Sequence, residues 1–237
     1  MRFFQALVAA SAFMTLGSSA AIGDKKLAAR DTPFADLGLP QSFWNTLSSY
    51  CPPGISQKRD PNSLEAREQK EPTGYTGVKP GNELGQSNVY KFGGLWTNNL
   101  VTCIGVAIIG DVDTSKDMLA NDKFLAHFFA TAESLDSQWP KLQALIDTAG
   151  ATNLKAWYSA PDTSQLLPGL NAAYMQQVED KMVSLLKTLT GQDPTPRHHV
   201  MADARAETGQ IGVMQINAAD RSVTIDGNNV PFGSPEP

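Results

Sequence analysis

Cysteine and histidine are scarce in this chain. Its 237 residues carry two cysteines, Cys51 and Cys103, and three histidines. Two cysteines exclude a disulfide-dense scaffold and a four-cysteine zinc site. Three histidines leave few ligands for any other metal centre, so no metal is expected. Positive charge is also short: 19 Lys and Arg stand against 24 Asp and Glu, a formal net charge of −5. A sequence-independent nucleic-acid binder needs the opposite balance. After the N-terminus no apolar run approaches the roughly 18 residues of a membrane span. No Asn-x-Ser/Thr sequon marks a glycosylated surface. What remains is a chain with 41% hydrophobic and 18% charged residues, enough apolar material for a core and too little disorder-promoting composition for anything else. The length suits one domain with an appendage.

The N-terminus is of a different character. Met1-Arg2 precedes an apolar run, Phe3 to Leu16, and then the small residues Gly17 to Ala21. This predicts a secretory signal peptide over residues 1–20, an exported protein, and no membrane contact once the peptide is removed. Residues 21–87 are polar and contain Cys51-Pro52-Pro53-Gly54 and the dibasic pair Lys58-Arg59. They are expected to be a poorly structured segment or a propeptide. Lys58-Arg59-Asp60 suits a protease that cuts after dibasic pairs, and an uncut exposed pair is the competing reading.

From Asn88 the pattern becomes that of a domain, expected to run over residues 88–230 with a frayed tail at 231–237. Val89 to Phe92 reads as a short strand. Leu100 to Ile109 is a β-branched apolar run that predicts a strand buried on both faces. Lys123 to Thr131 predicts a second inner strand. The stripe Trp139, Leu142, Leu145, Ile146 predicts a helix over 137–149, stopped by Gly150. Leu154 to Tyr158 is a short strand. Leu170, Tyr174, Val178, Met182, Leu185, Leu186 and Leu189 predict a helix closed by Gly191. The segments 199–204, 210–216 and 222–225 read as strands separated by turns. The order β-β-β-α-β-α-β-β-β segregates strands from helices and predicts an α+β fold, with helices covering one side of stacked sheets.

Few residues here carry chemistry. Cys103 lies inside the buried run, where an inert core thiol is the plain reading. A nucleophilic cysteine needs a base, because a thiol with a pKa of about 8.5 is mostly protonated at neutral pH. His127, in the neighbouring apolar run, is the candidate base, with a satisfied core histidine as its alternative. His198 and His199 are adjacent on a strand and face opposite sides, so they form no chelate. Asp111, Asp113, Asp117 and Asp122 lack the calcium-loop pattern and read as a solvated loop.

The segment Thr97-Asn98-Asn99-Leu100-Val101-Thr102-Cys103-Ile104-Gly105-Val106 resembles the Thr-x₅-Cys strand entry of the chemoreceptor glutamine deamidases (CheD type). Asp111 sits where that family has an Asp after its strand. Ala126-His127-Phe128 is similar to the family's Ala-His-hydrophobic segment, and Arg197 to Val213 resembles its closing hairpin. The similarity covers about residues 88–216 in the same order. The departures are Val101-Thr102 in place of small residues before the cysteine, a longer Cys-to-His interval, and Ser159-Ala160 where the family has Gly-Gly.

The resemblance implies a three-layer α-β-β sandwich, two helices on stacked, mainly antiparallel sheets, shared with cytotoxic necrotizing factor toxins. It also implies a cysteine-dependent deamidase of protein glutamine side chains. Cys103 would be the nucleophile, His127 the base and Thr97 the residue holding the imidazole, and the substrate would be a protein with an exposed glutamine. With an amine in place of water the same site becomes a transglutaminase. The rival is a non-catalytic secreted interaction protein on the same scaffold, with a Cys51–Cys103 disulfide and His127 in the core. A cysteine protease would use the same chemistry, and no protease motif supports it.

Overall fold

The computed structural model describes residues 39–50, 72–79, 84–88, 93–117, 119–199 and 212–236. The predicted strand at Val89 to Phe92, the signal peptide, Cys51 and Lys58-Arg59 lie outside the described residues, as does most of the strand expected at 199–204. The elements, in chain order, are α1 (Gln41–Tyr50), β1 (Tyr75–Gly77), β2 (Leu84–Asn88), β3 (Gly94–Thr97), β4 (Cys103–Asp111), β5 (Asn121–Phe129), α2 (Ala132–Ala149), β6 (Thr152–Pro161), α3 (Ala172–Thr190), β7 (Thr195–His199), β8 (Met214–Ile216), β9 (Val223–Ile225) and β10 (Asn228–Asn229).

Two five-stranded sheets result, ordered β2-β5-β4-β6-β7 and β1-β3-β8-β9-β10. Pairing is antiparallel except for β6 with β7 and β1 with β3. Strand β4 lies at the centre of the first of these sheets and is buried along its length up to the exposed Asp111. Its alternation divides the molecule. Ile104, Val106 and Ile108 pack with Phe124, Phe128 and the helices, in a core that includes Leu135, Leu142, Val178 and Met182. Cys103, Ala107 and Ile109 face the second sheet and pack with Leu95, Met214, Ile216 and Val223. The architecture is therefore an α+β sandwich of helices, sheet and sheet. Gly105 has no room for a side chain: a Cβ there would lie 2.7 Å from Leu100 Cδ1.

Helix α2 starts at residue 132, five residues before the predicted start. Thr131 caps it by accepting from the Ser134 N–H, and Leu135 extends the apolar stripe back through the turn before Trp139. Helix α3 is capped by Asn171 in the same way.

Four expectations need correction. The segment 21–87 holds α1, β1 and β2 instead of being poorly structured throughout. Phe43 and Leu47 of α1 are 1% and 3% exposed, and Phe43, Trp44 and Tyr174 of α3 pack edge to face with centroids 4.9–5.4 Å apart. Three aromatic rings at once bury enough area to fix a ten-residue helix despite the Pro-rich flanks. Among the described residues the helical layer thus contains three helices, not two.

The C-terminal tail is held and not frayed. Val230 O accepts from Trp157 Nε1–H at 2.9 Å, Gly233 N–H donates to Thr195 Oγ1 at 2.7 Å, and Arg197 donates to Ser234 Oγ at 2.7 Å. Asp122 is no loop residue: it is 1% exposed on β5 and pairs with the buried Lys123 at 2.9 Å. Asp111, Asp113 and Asp117 are exposed, as expected.

Because α1 is part of the core, Phe43→Ala is expected to cost about 3–5 kcal/mol in urea unfolding. A loss below about 0.5 kcal/mol would show that α1 contributes nothing to the folded state.

Candidate functional site

Thr97 and His127 come together between the sheets. Thr97 ends β3 on one sheet, and His127 sits on β5 of the other, both 0% exposed. Thr97 Oγ1 lies 2.7 Å from Val78 O and 2.7 Å from His127 Nδ1. A carbonyl only accepts, so the Thr97 hydroxyl hydrogen goes to Val78. Its oxygen then accepts the hydrogen of His127 Nδ1. This assigns the tautomer: Nε2 carries a bare lone pair. Nε2 is fully buried and has no hydrogen-bond partner among the described residues. Such an orphan acceptor in a low-dielectric interior is costly, and a structural histidine ordinarily satisfies both nitrogens.

Cys103 lies on the same sheet face. Cys103 pairs with Phe129 and Gly105 with His127, so cysteine and histidine are one diagonal step apart on adjacent antiparallel strands. That step is about 7–8 Å along the backbone and within reach of long or aromatic side chains. Cys103 is 0% exposed and is disulfide-bonded. The other cysteine of the chain is Cys51. In this state Cys103 is therefore no thiolate and cannot attack a carbonyl.

Sequence reasoning missed two residues of the same layer. His199, on β7, is 3% exposed, and Ser159, on β6, is 0% exposed. His199 Nδ1 lies 2.9 Å from Ser159 Oγ, and Nε2 lies 3.2 Å from Val101 O. Gly105 pairs with His127 on one side and Ser159 on the other, so His127 and the partner of His199 flank a residue with no side chain. The signal was present in the alternation of β7. His198 points the other way, to Glu179 Oε1 of α3 and Glu236 Oε2 of the tail, each at 2.7 Å. The two adjacent histidines thus serve opposite faces, and among the described residues no three His, Cys, Asp or Glu side chains converge as metal ligands.

The electrostatics separate these histidines further. Burial, and after it the nearby His199, push His127 down to about 3. It is neutral at ordinary pH, as a base must be. Hydrogen bonding to Glu179, opposed by desolvation and reinforced by Glu236, pulls His198 up to about 9. Tyr158 hydroxyl donates to the same Glu179 oxygen at 2.8 Å, completing a polar cluster remote from Cys103.

No family model matches the chain, and no curated protein matches its sequence.

The two shifts act on stability in opposite directions. An unfolded histidine binds its proton near 6.5, whereas folded His127 binds only near 3. Between those values the unfolded state holds more protons, so the stabilisation present above 6.5 is lost as pH falls. For His198 the folded state holds more protons between 6.5 and about 9, so its contribution is complete below 6.5 and lost as pH rises through 9. His127→Asn keeps a donor to Thr97 and is expected to flatten the acid limb in urea midpoints measured across pH, while His198→Gln flattens the alkaline limb. An unchanged acid limb in His127→Asn would remove His127 as its source.

Proposed function

We propose that this protein is an exported thiol amidohydrolase, latent while Cys103 is disulfide-bonded, that deamidates glutamine side chains of a partner protein after reduction. One observation carries the reading: the bare, buried Nε2 of His127, fixed by Thr97 on the face of β5 that borders Cys103. A free thiol at Cys103 is the group on this face whose proton such a lone pair is suited to take.

The reaction begins with reduction by an external dithiol, which is itself oxidised to a disulfide and leaves Cys103 as a thiol. His127 Nε2 removes the thiol proton, and the sulfur attacks the glutamine carboxamide carbon. The carbonyl electron pair moves to oxygen, where the Cys103 N–H and a neighbouring N–H stabilise it. As the oxyanion collapses, the C–N bond breaks and His127 returns the proton to the departing ammonia. Water, deprotonated by the same imidazole, hydrolyses the thioester to glutamate and restores the thiol. Thr97 keeps the proton on Nδ1 through both halves. No cofactor takes part. An amine that outcompetes water at the thioester gives transglutamination instead.

Full burial of the disulfide-bonded Cys103 favours a second reading, in which the bond is a permanent staple in a non-catalytic interaction protein. A staple from Cys51 to Cys103 would constrain the unfolded chain by about 4 kcal/mol. Ammonia release from a glutamine-rich unfolded protein decides between them. The reduced wild type is expected to release ammonia and the oxidised form none, with Cys103→Ser and His127→Ala each losing about 10³-fold or more in kcat. Thr97→Val is expected to be milder, because it removes an orienting group. A reduced wild type as inactive as reduced Cys103→Ser, with only its stability lowered, would leave the staple.

A further inference from the structure

The turn that leads into Cys103 is held from several directions. Asn99 takes a left-handed φ of 63°. Leu100 N–H donates to Gly212 O at 3.1 Å, and Val101 N–H returns to Asn99 O at 2.9 Å. Gly212 backs the turn so closely that a Cβ on it would lie 2.6 Å from Leu100 O. The last anchor is a side chain: His199 Nε2 sits 3.2 Å from Val101 O. That carbonyl has no hydrogen to give, so Nε2 carries one and Nδ1 takes the Ser159 hydroxyl hydrogen at 2.9 Å. Two almost wholly buried polar side chains are thus committed to one carbonyl, two residues before Cys103.

We propose that Ser159 and His199 are positioning residues that lock the Val101–Thr102 peptide, and with it the N–H groups entering Cys103. The proposal rests on the amidohydrolase reading. A trans peptide is planar, with its C=O and N–H on opposite sides. No cis peptide occurs among the described residues. Holding Val101 O towards His199 therefore sends the Thr102 N–H the other way. Thr102 and Cys103 supply consecutive N–H groups beside the sulfur, the donor arrangement that an oxyanion formed at that sulfur requires. The same dipoles favour a thiolate over a thiol. If the peptide turned over, a carbonyl oxygen would replace the Thr102 donor, and both effects would reverse sign. Ser159 acts one step back, by fixing which ring nitrogen of His199 carries the hydrogen.

The test compares full-length, reduced wild type with His199→Ala, His199→Gln and Ser159→Ala. The readouts are steady-state ammonia release and the pH dependence of Cys103 alkylation by iodoacetamide, with a urea midpoint for each protein. Glutamine places an amide donor where His199 Nε2 stood. His199→Ala is expected to lower kcat about 10²-fold at unchanged KM, and to shift the alkylation midpoint to higher pH. His199→Gln restores most of both, and Ser159→Ala falls between. A wild-type alkylation profile in His199→Ala overturns the proposal. Should that variant not fold, a wild-type profile in Ser159→Ala does the same. A low wild-type midpoint that rises in the variants, without ammonia release from any protein, overturns the deamidase reading and leaves the lock standing. A wild-type midpoint near the ordinary thiol value of about 8.5 overturns both.

Discussion

Everything in this molecule is referred to β4, a strand buried on both faces. A strand in that position can carry almost no polar side chain, because each one must find its partner inside the protein. Its run from Cys103 to Gly110 obeys that rule. The even positions bind the helical layer and the odd positions bind the second sheet. The polar groups of the inter-sheet layer are instead supplied by its neighbours, His127 from β5 and Ser159 from β6, on either side of Gly105. The strand itself contributes only sulfur.

Desolvation then sorts those polar groups. Ser159, His199 and Val101 O form one set in which donors and acceptors match. Thr97, Val78 O and His127 Nδ1 form a second matched set. His127 Nε2 is left over. An interior optimised only for stability has an easy remedy: an apolar residue at 127 would remove the orphan and release Thr97 to pair with Val78 alone. Retention of the imidazole is the feature of this core that packing does not explain. At the far end of β4, Lys123 and Asp122 are just as buried; Asp122 Oδ1 pairs with Lys123, and Oδ2 makes no hydrogen bond among the described residues but faces the Arg221 guanidinium at 3.4 Å, a charge partner that His127 Nε2 lacks.

The sequence was legible where burial writes a period. The apolar run of β4, the inner strand β5 and the stripe of α3 stand out because one face or both are dry over many residues. Boundaries were less legible, since Thr131 caps α2 through a single hydrogen bond that no hydrophobic period announces. Helix α1 was hidden for a related reason. Its buried set is two residues of one turn, Phe43 and Leu47, with Trp44 beside them, and its fixation comes from Tyr174, over 120 residues away in the chain. The tail was hidden likewise, because Trp157, Thr195 and Arg197 hold it through long-range hydrogen bonds to main chain and serine. Within the site, Cys103 and His127 were candidates by residue type, and Thr97 was named through the resemblance alone. Ser159 and His199 could not, because their significance lies in a contact with Val101 that only the parallel pairing of β7 with β6 creates.

The chemistry proposed here requires a carboxamide to reach a layer that is closed, and the energetics choose the route. Parting the sheets would expose Leu95, Ala107, Leu125, Met214 and Ile216 together. At roughly 1.5–3 kcal/mol for each large side chain, that costs about 6–12 kcal/mol, as much as the whole stability of a typical domain. Turning the Leu100 side chain aside is far less costly, and it leaves the main chain of the turn before Cys103 on its anchors. The two methyls of Leu100 fill the space above Gly105. Moving them would uncover the strip between His127 and Ser159 without breaking a sheet ladder or the hold of His199 on Val101. The neighbouring Thr102 hydroxyl donates to Leu47 O of α1 at 3.4 Å, so the same turn is tied to the helix that precedes Cys51. A disulfide at Cys103 restrains the strand entry next to this turn. Reduction would therefore act twice, by freeing the sulfur and by removing a restraint next to the Leu100 side chain that must turn aside.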